Sequence, residues 1–189
     1  MYNTTKKLSG IVKLRGDKSV SHRLLMIGSL IDGSSNIKNI SLCDDVTTTA
    51  ECLRNCNIVI ENNNDLVTIN GNNFKSPAKA LNCKNSGTSA RLLLGLLSGN
   101  ELNFSILGDS SLMKRPMKRI IDPLMKMNVD IISENNSLPL IVKSNDIIEI
   151  NYHIKTNSAQ VKSALIFAAL GVNKYSYISS NNNTRDHTE

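Results

Sequence analysis

The sequence predicts an α/β protein in which a βαβαββ unit is written three times, the third copy incomplete. Three observations carry this prediction. The stretches GDKSVSHR (16–23), KNSGTSAR (84–91) and TNSAQVKSA (156–164) each set a small polar residue directly before an apolar run of helical period, with helix starts at Ser19, Ser86 and Ser158. These starts recur about seventy residues apart. A second series lies between them, in SLCDDVTTTAECL (41–53), LMKRPMKRIIDPL (112–124) and NNTRDHTE (182–189), at a similar spacing. A fixed period of this size means that one packing solution is reused.

The first unit, residues 10–70, begins with an extended run at 10–14. Val20, Leu24, Ile27 and Ile31 then share one helical face until Gly33 stops the helix. Residues 34–40 return as a strand, and Asp44 or Asp45 caps a second helix carrying Val46, Ala50 and Leu53. Strands at 58–60 and 66–69 close the unit across an Asn-rich turn. The second unit, residues 78–143, repeats the order. A strand at 78–83 leads to a helix from Ser86 with Ala90, Leu93, Leu94 and Leu97 on one face, followed by a strand at 102–107. Pro116 suits the first turn of the next helix, whose apolar stripe is Ile120, Ile121 and Leu124; strands at 129–132 and 138–142 finish the unit. The third, residues 147–189, runs through a strand at 147–154, a helix from Ser158 with Val161, Leu165 and Ala168, and a strand at 175–179. It ends as a helix begins at 184–189. A unit stopping there lacks a helix and two strands, so the chain reads as truncated.

Composition narrows the function. A net charge of +6 and a pI near 9.2 favour anionic partners of any kind. The basic residues are dispersed, however, and three phenylalanines and four tyrosines offer little surface for stacking bases, which argues against nucleic acid. No apolar run approaches a membrane span, and no signal core opens the chain, so a cytoplasmic location is expected. Cys43, Cys52, Cys56 and Cys83 form no CxxC pair and have no companion histidine at ligand spacing, so no metal is expected. Runs such as Asn62-Asn63-Asn64 read as loops.

The chemistry therefore rests on the helix starts, where unpaired N–H groups and the helix dipole favour phosphate or carboxylate. Lys18, Ser19 and Arg23 add an ammonium, a hydroxyl and, one turn on, a guanidinium. Asn85, Ser86, Gly87 and Thr88 set a glycine where a ligand could approach the backbone; the same residues also fit a plain turn and cap. Ser158, Ala159 and Gln160 offer a hydroxyl and an amide. Arg115 precedes a helix, where it opposes the dipole; service to a ligand and a salt bridge to Asp109 are both open readings. His22, His153 and His187 stand isolated and read as surface or partner-satisfied.

Five ordered motifs across residues 16–189, GDKSVSHR, NSGTSARLLLGLL, GDSSLMKRPMKRIIDPL, NSAQVKSALIFAAL and TRDHTE, resemble the signatures of the EPSP synthase family. The related UDP-N-acetylglucosamine carboxyvinyltransferases share fold and reaction type, but KSVSHR and RPMKR resemble the shikimate enzymes. The resemblance implies the enolpyruvyl transferase fold, an inside-out α/β barrel, with this chain covering most of one of two domains. It implies transfer of the enolpyruvyl group of phosphoenolpyruvate to the 5-hydroxyl of shikimate 3-phosphate with release of phosphate, without cofactor or metal, in an enzyme that acts as a monomer.

Carried over by position, Lys18 would contact both substrates, while Ser19 and Arg23 would hold shikimate 3-phosphate. Gly87 and Arg115 would bind phosphoenolpyruvate, lined by Asn85 and Thr88. Ser158, Ala159 and Gln160 would sit on shikimate 3-phosphate, with Gln160 also reaching phosphoenolpyruvate. Thr184 stands where the family usually has serine, keeping the hydroxyl. Gly87 matches the glycine of glyphosate-sensitive members. The acid and base belong to the second domain in the family, so no catalytic residue maps here and the chain alone is expected to be inactive. The competing reading is a non-catalytic anion-binding domain that retains shikimate 3-phosphate.

Overall fold

A computed structural model describes residues 9–144, 146–181 and 185–189. Its elements, in chain order, are α1 (Lys18–Leu30), β1 (Gly33–Lys38), α2 (Asp44–Asn55), β2 (Val59–Asn63), β3 (Leu66–Gly71), β4 (Leu81–Asn82), α3 (Gly87–Gly99), β5 (Phe104–Leu107), a 3-10 turn (Leu112–Lys114), α4 (Lys118–Lys126), β6 (Val129–Ser133), β7 (Leu140–Ser144), β8 (Asn151–Ile154), α5 (Ala159–Ala169) and β9 (Tyr177–Ser180).

Among the described residues the strands form three sheets. β1, β3 and β2 lie in that order, all antiparallel, with a two-residue turn at Asn64-Asp65 joining β2 to β3. In the second sheet the order is β4-β5-β7-β6; β4 and β5 run parallel across the α3 crossover, and the other pairs are antiparallel. β8 and β9 pair in parallel across α5. One face of each sheet turns inward. In β6 and β7 the alternation puts Val129, Ile131, Leu140 and Val142 in the core and leaves the facing pair Ile132 and Ile141 outside.

The helices occupy the interior. α3 buries Leu92, Leu93, Leu94, Leu96 and Leu97 completely, a helix apolar nearly all round and hence one that packs on all sides. Its neighbour α5 approaches so closely that a Cβ on Gly95 would lie 2.0 Å from the Ala164 carbonyl oxygen. Only glycine permits that contact.

Several local expectations give way to better-placed groups. α1 is capped by Asp17, whose Oδ1 accepts from Val20 N at 2.9 Å, so Ser19 sits in the first turn with its hydroxyl uncommitted to capping. Cys43 takes the N-cap position of α2 without a side-chain bond, and Asp44 and Asp45 fall in the first turn, where they complement the dipole. Pro116 lies just before α4, which starts at Lys118 and carries Pro123 within it. Among the described residues, 10–14 pair with no strand and β1 is bonded only to β3; Ile11, Val12 and Leu14 are 93%, 81% and 78% exposed. Residues 185–189 are not helical. The asparagines prove to have structural work besides filling loops. Asn57 and Asn128 follow the C-caps of α2 and α4 at φ 71° and 68°, and Glu101 takes the same position after α3 at φ 54°. Asparagine tolerates this left-handed conformation better than most residues.

Candidate functional site

The N-terminal halves of α1, α2, α3 and α5 are drawn together by hydrogen bonds. His22 Nδ1 on α1 lies 2.7 Å from Thr49 Oγ1 on α2, which lies 2.7 Å from Ser89 Oγ on α3; that hydroxyl is 2.7 Å from Ser86 Oγ, the N-cap of α3. All four side chains are buried. Burial pushes the His22 pKa down to about 4, so the imidazole is neutral near pH 7. Gln160 ties α5 to α3, donating from Nε2 to Thr88 Oγ1 at 3.0 Å and accepting at Oε1 from Arg91 Nη1 at 3.1 Å. These bonds fix the amide's orientation.

Around this junction stand the cations. Lys18, the first residue of α1, donates from Nζ to Asp45 Oδ2 at 2.9 Å, a bond that raises its pKa and keeps it charged. Arg23 is only 4% exposed. Its Nη2 donates to Ser163 Oγ at 2.6 Å, its Nη1 to the Ser19 carbonyl at 2.9 Å and its Nε to Thr188 Oγ1 at 2.6 Å. Every one of these acceptors is neutral. Burial lowers its pKa, with Glu189 and Asp17 opposing from further away, yet a guanidinium stays protonated at neutral pH. Arg115 donates from Nη2 to Asn85 Oδ1 at 2.9 Å, and Asn85 in turn donates to Asp109 Oδ2 at 2.6 Å. Arg115 and Asp109 therefore meet through Asn85, and no direct ion pair joins them among the described residues. The Asn85 bond first, and the Leu112 N–H second, hold the Asp109 carboxyl below its usual range.

Gly87 opens α3 where two guanidiniums crowd the backbone. A Cβ there would lie 2.6 Å from Arg91 Nη1 and 3.3 Å from Arg115 Nη1. Ser158 caps α5 through Val161 N at 3.4 Å, and Ala159 is its first helical residue. A cavity of about 250 Å³ opens here, lined among others by Arg91, Arg119, Ser158 and Gln160, with no carboxylate in its wall. A larger cleft of about 850 Å³ lies elsewhere, beside Lys13, Arg15, Lys38 and Asp65, and none of the helix-start residues lines it.

Thr184 falls outside the described residues. The other ten predicted positions cluster at these helix starts, but they divide into two groups: Lys18, Ser19 and Arg23 on α1, and Asn85, Gly87, Thr88, Arg115, Ser158, Ala159 and Gln160 around α3 and α5. Arg23 links the groups through Ser163. Four participants escaped the sequence reading. Arg91 binds Gln160, the Gly87 carbonyl and the Pro116 carbonyl, joining three segments of the site. Its signal was present, since arginine stands one turn into α3 as Arg23 does in α1. Asp45, Thr49 and Ser89 carry no comparable mark, because a single carboxylate or hydroxyl on a helix is too common to single out. Of the histidines, His22 and His153 have hydroxyl partners at Nδ1, in Thr49 and Ser179, while the Nε2 atoms of both His22 and His187 are buried without a partner among the described residues.

Known proteins resemble this chain in both sequence and structure. The sequence model of the family described as EPSP synthase (3-phosphoshikimate 1-carboxyvinyltransferase) matches residues 2–189. The 3-phosphoshikimate 1-carboxyvinyltransferase of Caldicellulosiruptor bescii is 44% identical over 189 residues, covering 97% of this chain and 44% of the relative. The protein of the same name from Streptococcus mutans serotype c is 45% identical over 188 residues, covering 96% and 44%. In structure, EPSP synthase from Acinetobacter baumannii matches 95% of this chain and 42% of its own with a TM-score of 0.88 at 36% identity. The chain thus spans less than half the length of the relatives it matches. With sequence, fold and helix-start motifs in agreement, the chain belongs to the EPSP synthase family.

Proposed function

We propose that this chain is the N-terminal, substrate-gathering part of a 3-phosphoshikimate 1-carboxyvinyltransferase, holding shikimate 3-phosphate and phosphoenolpyruvate at the junction of α1, α3 and α5. The observation that carries this reading is the Arg23 guanidinium, buried to 4% exposure with only neutral acceptors around its donors. A desolvated cation without a counter-ion at bonding distance is costly, and a phosphate oxygen meets that cost with a charge-assisted bond. Lys18 and Ser19 add an ammonium and a hydroxyl on the same turn. Ser158, Ala159 and Gln160 supply the facing helix start.

Phosphoenolpyruvate lies against Gly87, between the Arg115 guanidinium and the Gln160 amide, with Asn85 and Thr88 fixing those two groups. Opposing this much positive charge to a phosphate and a carboxylate stabilises the charge that develops as the enolpyruvyl group leaves phosphate for the 5-hydroxyl. The proton acid and base are supplied by a second domain in cis, whose closure excludes water.

Calorimetric titration with shikimate 3-phosphate and an assay of phosphate release from phosphoenolpyruvate together test the reading. The 189-residue chain is expected to bind shikimate 3-phosphate and to release no phosphate, while a product carrying the second domain turns over. Absence of shikimate 3-phosphate binding by both proteins would overturn it.

A further inference from the structure

The carboxylate of Asp45 is bonded directly to Lys18, a cation of the helix-start junction. It stands in the first turn of α2 and takes the Lys18 ammonium at 2.9 Å. The Asp45 carbonyl lies 3.2 Å from Ser89 Oγ and 3.4 Å from Thr49 Oγ1, the two buried hydroxyls that stand between His22 and Ser86. The carboxylate thus rides on a mount bonded to α1 on one side and to the N-cap of α3 on the other.

Lysine has the opposite character. Its four-carbon stem is flexible and the Lys18 side chain is 52% exposed, so the bond to Asp45 is the main restraint on where its ammonium sits. Three N–H donors leave two for a ligand once Asp45 has taken one. A bare negative charge beside an anion site would do the reverse, repelling the ligand and weakening its binding.

We propose that Asp45 is a positioning residue that holds the Lys18 ammonium at the junction of α1, α2 and α3 and leaves its two remaining donors for a phosphorylated substrate. This rests on the reading of Lys18 as a substrate ligand. The two roles a carboxylate could play here differ in sign, which makes them separable: a positioning Asp45 strengthens anion binding, whereas an unhelpful negative charge weakens it.

The test is calorimetric titration of shikimate 3-phosphate, at fixed ionic strength, into the wild-type chain, Asp45→Ala, Asp45→Glu, Lys18→Met and the double variant Lys18→Met/Asp45→Ala. Thermal melts are recorded on each. Lys18→Met is expected to raise Kd at least tenfold and Asp45→Ala by about five- to tenfold, in line with loss of an oriented charged hydrogen bond. Asp45→Glu should recover wild-type affinity to within about threefold, and in the Lys18→Met background Asp45→Ala should add less than twofold. Unchanged or tighter binding by Asp45→Ala, or the same loss in both backgrounds, would overturn the positioning role alone. A wild-type chain indifferent to shikimate 3-phosphate, or one whose affinity Lys18→Met leaves intact, would remove the reading beneath it and the proposal with it.

Discussion

Arg23→Met separates a ligand-serving arginine from a structural one, because the two roles predict opposite balances of stability and affinity. In the free protein the guanidinium is buried among neutral acceptors. Methionine keeps most of the apolar stem and relieves the burial of a charge. The acceptors it abandons are already served: Ser163 Oγ lies 2.7 Å from Thr188 Oγ1 and donates to the Ala159 carbonyl, and the Ser19 carbonyl keeps its helical bond within α1. Stability of the free chain should therefore change by less than about 1 kcal/mol in either direction. In the complex a charged hydrogen bond to phosphate disappears, which costs about 1.5–3 kcal/mol and raises Kd about 10- to 150-fold. Titration calorimetry with shikimate 3-phosphate reads the second quantity and urea unfolding the first. A folded variant whose Kd moves less than twofold, or a variant that loses several kcal/mol of stability, would refute the argument.

Three further predictions follow from contacts already described. Gly87→Ala pushes the Arg91 and Arg115 guanidiniums away from the start of α3, so phosphoenolpyruvate titrated in the presence of shikimate 3-phosphate should bind about tenfold more weakly while shikimate 3-phosphate itself changes less than twofold; equal effects on both would speak against the division of the site. His22 resists protonation down to about pH 4, whereas an unfolded chain takes up that proton below about pH 6.5, so wild-type stability should fall across this window by about 2–3 kcal/mol more than that of His22→Gln. Parallel pH profiles in urea unfolding would show that His22 is accessible to acid. Gly95→Ala forces a Cβ to 2.0 Å from the Ala164 carbonyl and should cost about 3 kcal/mol or more, read as a lowered midpoint of thermal unfolding; a neutral effect would mean that α3 and α5 part freely.

Helix-rich stretches were the most legible part of the chain, because a 3.6-residue apolar period survives wherever the helix packs. Among the described residues, α1, α2, α3 and α5 each begin within one residue of a polar start read from the sequence, whereas α4 begins two residues after the Pro116 expected in its first turn. Strands were found but shifted, since a run such as 147–154 is apolar enough to be a strand along its length while only Asn151–Ile154 finds a partner in β9. Residues 10–14 mislead for the same reason: Ile11, Val12 and Leu14 have strand propensity, and propensity cannot say whether an edge is available to pair with. At the site, motif residues were legible when their type was unusual for their place, as with Arg115 before a helix. Asp45, Thr49 and Ser89 were invisible because their importance lies in contacts across α1, α2 and α3 that no spacing along the chain encodes.

α3 ties the candidate site to the interior more tightly than a loop could. Eleven of its thirteen residues are buried, and its first residue is Gly87. The free energy that packs Leu92 to Leu97 also sets the backbone at the proposed site, so the arrangement of that helix start is settled when the protein folds and little conformational entropy is left to lose if a ligand binds there. A ligand meeting such a surface should associate with a modest entropic opposition from the protein. Selection on affinity would then act through side chains at the rim, since any alteration of the helix itself is felt first as a change in folding.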